Sequence, residues 1–266
     1  MPVEVIPGAS PLIITLPHAA TEMPMAVMQR LNDHGQALTD TDWHIDRLFG
    51  GLVEGATWVR ANFHRYMCNA NGNPEALGPR SAGAADAVIP LRDRAGEPIW
   101  SQPPDPAEMA RWRSAFHAPY HAAIAAQLAR VRAQHGHAIL IDCHAVHSAL
   151  ARPYAPELPD LGIGSLNGGS CNHALTAHLA GLCMTATPYR AAIQDRTTED
   201  WTLRRYGRPK MGAHALQINV ALSTYLTKEA DPWLYDTGKA NELRPLLREL
   251  LSAAQNWQFD NSVIKV

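Results

Sequence analysis

Short apolar runs alternate along the chain with stretches of helical periodicity. Apolar runs at 12–16, 57–61, 137–142 and 214–222 are typical of strands, and the first and third predict strands buried on both faces of a sheet. Apolar residues three or four positions apart predict helices from Asp42 onward, over 105–131, over 174–184 and over 241–254. Pro119 should bend the second of these helices.

The alternation of strands and helices predicts one α/β domain over residues 1–266, with three layers (α/β/α) around a largely parallel, mixed sheet. The segment 69–106 is rich in Gly, Pro, Ala and Asp and has no sustained periodicity. A long irregular segment in a compact domain is typical of a binding-site wall, and we expect that role here.

Composition and charge exclude several classes of partner. The chain has 266 residues, of which 18% are charged, and its formal net charge is -2, so no overall field favours nucleic acid or an anionic membrane surface. Its apolar runs are shorter than the roughly 20 residues of a transmembrane helix, and residues 1–10 lack the features of a secretory signal. We therefore expect a cytoplasmic protein with four free cysteines, and the oligomeric state is left open.

Two histidines stand where α/β sheets place site residues, because each directly follows an apolar strand. His18 follows the first strand and His144 is expected just beyond a later one. Imidazole is a common zinc ligand, and a catalytic centre needs about three protein ligands. Asp42 and Asp46, one helical turn apart, or Glu22, are the candidates for the third ligand; the alternative is that these histidines only pack or hydrogen-bond in the core.

Other polar residues have more than one interpretation. Arg65 follows a strand, and Arg196 and Arg204 lie in a polar stretch; guanidinium groups bind carboxylates or stabilise an oxyanion, but surface arginines are common. Glu199 and Asp200 are either a general base or the start of a helix. The sequence lacks the GxSxG, Walker, GxGxxG and HExxH motifs, and Cys143 is expected in the core, since it points away from its neighbour His144.

Several sequence blocks in order resemble the N-formylglutamate amidohydrolases, in particular the deformylase branch of histidine degradation. These blocks are Pro17-His18-Ala19, the stretch 39–48, Arg60-Ala61-Asn62, Arg65-Tyr66, Pro119-Tyr120-His121, Ile141-Asp142-Cys143-His144, Arg204 with Tyr206-Gly207-Arg208-Pro209, and His214-Ala215-Leu216-Gln217 with Ser223-Thr224-Tyr225. The resemblance covers nearly the whole chain.

The resemblance implies a fold similar to zinc carboxypeptidases and aspartoacylases, with one divalent metal, zinc being the expected ion, and a small amide as substrate. It implies that His18 and His144 bind the metal together with Asp42 or Asp46. It further implies that Arg65 polarises the amide carbonyl and that Asp142 orients an imidazole. The residues expected at the substrate are Asn71, Arg196, Arg204 and Tyr206.

The chain departs from the family pattern at chemically important positions. Where the family has an Asp-X-Asn-Arg element, this chain has Asn69 and Gly72, so the arginine expected at the substrate carboxylate is missing. The family's Gln-X-Glu becomes Gln217-Ile218-Asn219, and an amide cannot take a proton from water as a carboxylate does. We expect Glu199 or Asp200 to replace that base.

Three functional hypotheses follow from these departures. The first is a metal-dependent amidohydrolase with altered substrate preference, and the second is a catalytically silent relative that binds a small molecule or a partner. The third is an ordinary N-formylglutamate deformylase. On the first hypothesis, the double substitution Gly72→Arg and Asn219→Glu should increase N-formylglutamate hydrolysis.

Overall fold

The computed structural model describes residues 1–74, 87–148, 158–193 and 201–259, and a seven-stranded sheet runs through this part of the chain. Its strands are β1 (Val3–Ile6), β2 (Leu12–Leu16), β3 (Thr57–Ala61), β4 (Ala138–Val146), β5 (Leu161–Gly164), β6 (Ala191–Ile193) and β7 (Ala213–Ala221). They lie in the order β1-β3-β2-β4-β7-β5-β6. Every residue of β2 and β7 is buried, which explains the apolar run of β2, whereas β7 also carries the buried polar residues His214, Gln217 and Asn219.

The sheet is mixed and largely parallel, as predicted. Neighbours among β3, β2, β4 and β7 pair in parallel. At one edge β1 is antiparallel to β3, and at the other β5 is antiparallel to β7 and parallel to β6. The sequence analysis missed β1, β5 and β6, because strands of three or four residues carry too little alternation to be recognised.

Helices cover both faces of the sheet. They are α1 (Met25–Met28), α2 (Asp33–Gln36), α3 (Ile45–Phe49), α4 (Pro106–Trp112), α5 (Ala118–His135), α6 (His173–Thr185), α7 (Trp201–Tyr206) and α8 (Thr237–Gln255), with 3-10 turns at Pro209–Met211 and Leu222–Thr224. One core cluster joins the sheet to α3, α6 and α8, and a second joins its other face to α5 and α7. Within the described residues, no helix has both the length and the apolar character needed to cross a membrane.

The helix predicted to begin at Asp105 is divided near Pro119. The Asp105 carboxylate caps α4 by accepting a hydrogen bond from the Glu108 N–H (2.7 Å). A π-helical turn, Arg113–His117, then separates α4 from α5. Pro119 has no N–H for the preceding turn, and the wider turn accommodates its ring, so the interruption falls where the sequence placed a bend.

Two predicted boundaries need correction. The helix predicted from Asp42 onward is limited to α3, which ends before Gly50. Strand β4 continues beyond Asp142 to Val146, so His144 lies inside the strand and not after its end. The predicted irregular segment 69–106 contains no helix or strand longer than a single bridge over its described parts, 69–74 and 87–105.

Candidate metal centre

Four polar side chains lie on one face of the sheet near the carboxyl ends of β4 and β7. Side chains alternate along β4, so Asp142 and His144 share one face while Cys143 belongs to the core cluster on the other, as predicted. The register of β7 places Gln217 opposite Asp142 and Asn219 opposite His144. The carboxyl ends of parallel strands are the usual ligand-binding edge of an α/β sheet.

His18, Asp42 and His144 form a compact buried group, with ligand atoms that all lie within 4.8 Å of one another. His18 follows the end of β2, and the Asp42 N–H donates to the His18 carbonyl (2.9 Å), which holds the two residues together. Asp42 Oδ2 lies 3.3 Å from His144 Nδ1 and 3.9 Å from His18 Nδ1. Each of the three side chains is only 1% exposed.

The outer nitrogens of both imidazoles are engaged, which fixes their tautomers. His18 Nε2 lies 2.8 Å from Asn69 Oδ1, and His144 Nε2 lies 3.1 Å from Asp142 Oδ2. Both oxygens accept, so each Nε2 carries a proton, and each ring in its neutral form presents the Nδ1 lone pair. Within the described part of the chain, neither Nδ1 nor either Asp42 oxygen makes a hydrogen bond. Unsatisfied buried acceptors that face one another fit a bound cation.

The two imidazoles have different electrostatic surroundings. Burial lowers the pKa of His18 well below its ordinary value, and the charge of Arg65 lowers it further. Burial also lowers the pKa of His144, but the Asp142 and Asp42 carboxylates outweigh burial and raise that pKa to about 9. His18 is therefore a neutral donor, whereas a proton on His144 must leave before its Nδ1 can bind an ion.

The structure separates the candidates for the third ligand. Asp42 lies in the buried group, whereas the Asp46 carboxylate is 37% exposed and forms an ion pair with Arg60 (3.2 Å). Glu22 is exposed. Helical spacing placed Asp42 and Asp46 on one face, but α3 begins only at Ile45, so Asp42 precedes the helix and the two side chains diverge.

Three of the five predicted catalytic residues, Arg65, Asp142 and Asn219, lie within the described part of the chain and close to this group. Asp142 is fully buried behind His144, and Arg65 is 1% exposed, close enough for its charge to lower the pKa of His18. Asn219 lies beside His144 on the next strand, and its Oδ1 accepts from Gln217 Nε2 (3.0 Å). Glu199 and Asp200 lie outside the described residues.

Three of the four predicted substrate-binding residues, Asn71, Arg204 and Tyr206, lie within the described part of the chain and have different surroundings. Asn71 is buried behind the site: its Nδ2 lies 3.2 Å from Asp142 Oδ2, and its Oδ1 accepts from the Thr202 N–H and hydroxyl. Arg204 is on the exposed face of α7. The Tyr206 hydroxyl contacts His121, donating to its carbonyl (2.9 Å). Arg196 is outside the described residues.

Sequence analysis missed Arg94, which lies in the segment predicted to form the site wall. Its Nη1 is 3.9 Å from Asp42 Oδ1 and donates to the Ala145 carbonyl (3.3 Å). The Arg94 N–H donates to Asp40 Oδ2 (2.9 Å). A single arginine in a polar loop carries no sequence signal, and only the path of the loop brings it to Asp42.

Gly72 lies against the backbone of the same wall segment. A Cβ at this position would be 2.7 Å from both Cα and N of Val88. The Asn69 N–H donates to the Val88 carbonyl (2.8 Å), which holds the two segments together. The expectation that arginine at position 72 would restore substrate binding is therefore corrected, because backbone atoms fill the space that its side chain needs.

Together, the sheet and the buried donors define an α/β protein with a candidate metal centre at the carboxyl edge of parallel strands. A family model for N-formylglutamate amidohydrolase matches residues 10–226. The N-formylglutamate deformylases of Pseudomonas aeruginosa and Pseudomonas putida are each 34% identical over 253 residues, 94% of this chain and 94% of each relative. The chain therefore belongs to the N-formylglutamate amidohydrolase family.

Solved structures agree on the fold. The N-formylglutamate amidohydrolase from Ralstonia eutropha JMP134 is 21% identical, with a TM-score of 0.78 over 95% of this chain and 98% of that chain. A gene product from Agrobacterium tumefaciens is 17% identical, with a TM-score of 0.70 over 95% of this chain and 94% of that one. The likeness to zinc carboxypeptidases and aspartoacylases stays a prediction.

Proposed function

We propose that the chain is a metal-dependent amidohydrolase that cleaves a small N-formyl or other N-acyl amide, with a substrate preference altered from that of its relatives. The observation that carries the proposal is the buried group of His18, Asp42 and His144, whose inward-facing atoms lack hydrogen bonds among the described residues. Two imidazoles and one carboxylate are a typical donor set for catalytic zinc. A divalent ion held there would activate water and polarise the amide carbonyl.

The chain's own residues would orient the two imidazoles and place a positive charge beside them. Asp142 and Asn69 hold the outer nitrogens of His144 and His18, so both rings in their neutral forms direct their lone pairs to the ligand side. Arg65 adds a buried positive charge beside His18, suited to stabilising the oxyanion that develops on an amide carbonyl.

The general base is the least conventional part of the proposed mechanism. Asn219 stands beside His144, and its amide does not accept a proton near neutral pH. We assign the base to Glu199 or Asp200, which directly precede α7. In support, Thr202 of that helix donates to Asn71, which contacts His144. Alanine at the correct position should lower the turnover number by roughly 10²- to 10⁴-fold while zinc content is unchanged.

The proposal is tested by metal content together with hydrolysis. Wild-type protein loaded with zinc should hold one ion and release the acid product from at least one member of a panel of N-formyl and N-acetyl amino acids. Asp42→Asn should lose the zinc, and Asp46→Asn, four residues later with its carboxylate 37% exposed and paired with Arg60, should keep it. Zinc uptake by Asp42→Asn equal to that of the wild type would reject this centre.

A catalytically silent relative is the second candidate, and the observation that favours it is Asn219 beside His144. On this alternative, zinc binds as in the wild-type expectation, but no amide of the panel is hydrolysed. An ordinary deformylase would instead turn over N-formylglutamate far faster than every other member of the panel.

A further inference from the structure

Gln217 carries a buried hydrogen-bond acceptor beside the candidate metal centre. It lies opposite Asp142 in the parallel pairing of β7 with β4, on the sheet face that also carries His144, and such strands run about 4.8 Å apart. The residue is 5% exposed, and its Oε1 accepts no hydrogen bond from the part of the chain that the structure describes. A buried amide oxygen without a donor costs free energy, which makes it a candidate contact for a ligand.

Asn219 determines which atom of the Gln217 amide is left without a partner. Gln217 Nε2 donates to Asn219 Oδ1 (3.0 Å), so the nitrogen is engaged and the carbonyl oxygen is not. A carboxylate at position 219 would accept the same hydrogen bond. The change from the family's glutamate to Asn219 therefore leaves the acceptor of Gln217 in place.

The two strand partners of Gln217 offer it no side-chain donor. On one side is Asp142, whose ionised carboxylate only accepts and already receives hydrogen bonds from Thr15 and His144. On the other side, the partner in β5 is Gly164, which has no side chain. A donor for Oε1 must therefore come from outside this row of the sheet.

The polarity of this contact selects one group of an N-acyl amino acid. The carbonyl and carboxylate oxygens of such a molecule accept hydrogen bonds, and the amide N–H is the donor that its common framework provides. Hydrolysis adds the hydroxyl of water to the acyl carbon and a proton to the nitrogen, as the C–N bond between them breaks. Because the nitrogen gains a proton as it leaves, an acceptor beside it stabilises the transition state more than the ground state.

We propose that Gln217 Oε1 accepts a hydrogen bond from the N–H of the scissile amide and then from the amine product, so that the substrates are N-acyl derivatives of primary amines. The inference rests on the proposed function. The excluded class consists of N-acyl derivatives of secondary amines, such as N-formyl-N-methyl amino acids, whose amide nitrogen has no hydrogen. A ligand of that class leaves Oε1 buried without a donor.

The test compares two substrates that differ only in the amide hydrogen. Zinc-loaded proteins are assayed for kcat/KM with the panel member that the wild type hydrolyses fastest and with its N-methyl derivative. Gln217→Met removes the acceptor, and Gln217→Glu keeps an acceptor oxygen. Gln255→Met is the matched control, because Gln255 Oε1 also lacks a hydrogen bond among the described residues but belongs to α8, which packs on the other face of the sheet.

Calorimetry gives a readout that does not depend on turnover. Each zinc-loaded protein is titrated with the amino acid released from the preferred substrate and with the corresponding des-amino acid. Gln217→Met should bind the amino acid about 3- to 10-fold more weakly than the wild type does, with its affinity for the des-amino acid and its zinc content unchanged.

In the assays, the wild type and Gln255→Met should prefer the substrate with the N–H by roughly 10- to 100-fold. Gln217→Met should lower this preference about tenfold, whereas Gln217→Glu should retain most of it, since a carboxylate oxygen also accepts.

Equal kcat/KM for the two substrates in the wild type would overturn the inference, whether or not the variants fold. An undiminished preference in Gln217→Met would also overturn it, as would a preference in Gln217→Glu no greater than in Gln217→Met. Loss of zinc in Gln217→Met would have the same consequence, because Gln217 would then support the metal ligands. A wild type that takes up no zinc, or hydrolyses no member of the panel, would reject the proposed function itself.

Discussion

At the scale of single residues, the partner behind each imidazole controls how well it binds a metal. Asp142 accepts from His144 Nε2 and from Asn71 Nδ2 (3.2 Å), so the carboxylate both orients the ring and increases its basicity. Asp142→Asn should weaken zinc binding about 10- to 100-fold, measured by competition with a chromophoric chelator. Asp46→Asn is the control, and equal affinity in the two variants would contradict this role.

Gly72 tests the close approach of the wall segment to the site. Gly72→Ala should lower the free energy of unfolding by about 1–3 kcal/mol, because its Cβ must displace the Val88 backbone, 2.7 Å away. Gly181 in α6 is the control, since a Cβ there meets no atom within 4 Å. Gly181→Ala should be neutral or stabilise by up to about 1 kcal/mol in the same urea titrations. A neutral Gly72→Ala would mean that the wall does not pack on this glycine.

At the scale of elements, capping decides where the longest helical stretch begins. Asp105 accepts from the Glu108 N–H, and residues 106–135 then continue through α4, the π turn and α5. Asp105→Ala should reduce the free energy of unfolding by about 1 kcal/mol. Asp105→Asn should cause a much smaller reduction, because an amide oxygen can also accept the hydrogen bond that caps the helix. Equal losses in both variants would show that the cap does not supply this stability.

At the scale of the whole molecule, several buried imidazoles make stability depend on pH. Burial is the main cause that lowers the pKa of each of four residues: His64 (to about 3), His117 (to about 4), His121 (to about 3) and His214 (to about 4). Their unfolded pKa is about 6.5, so the unfolded chain binds more protons below that pH. The stability that they provide is present above pH 6.5 and is lost as the pH falls towards 4.

This pH dependence is measured by urea unfolding of chelator-treated protein between pH 7 and pH 5. Each of the four imidazoles adds a slope of up to about 1.4 kcal/mol per pH unit below pH 6.5. His121→Gln should reduce the slope of the unfolding free energy against pH by the contribution of one imidazole, up to about 1.4 kcal/mol per pH unit. Equal stability at pH 7 and pH 5 in the wild type would contradict the assignment.

Much of the fold followed from local patterns. The buried strands β2, β3, β4 and β7 and the helices α5, α6 and α8 have the runs and periodicities that sequence analysis recognises. His18 and His144 were also identifiable, because each follows an apolar run of a buried strand, although His144 lies inside β4 and not after its end. The short strands near the sheet edges and the early end of α3 were not identifiable, since elements of three to five residues show too little periodicity.

Contacts distant in sequence decided the rest. Asp42 and Asp46 are equivalent as local sequence, and only the hydrogen bond from Asp42 to His18, which fixes the chain before α3, directs one carboxylate to the imidazoles. Likewise, the sequence alone indicates only that glycine at position 72 replaces an expected arginine. Two contacts depend on how the loop crosses the sheet edge: the packing of Val88 on Gly72 and the approach of Arg94 to Asp42. No periodicity in the sequence encodes the path of this loop.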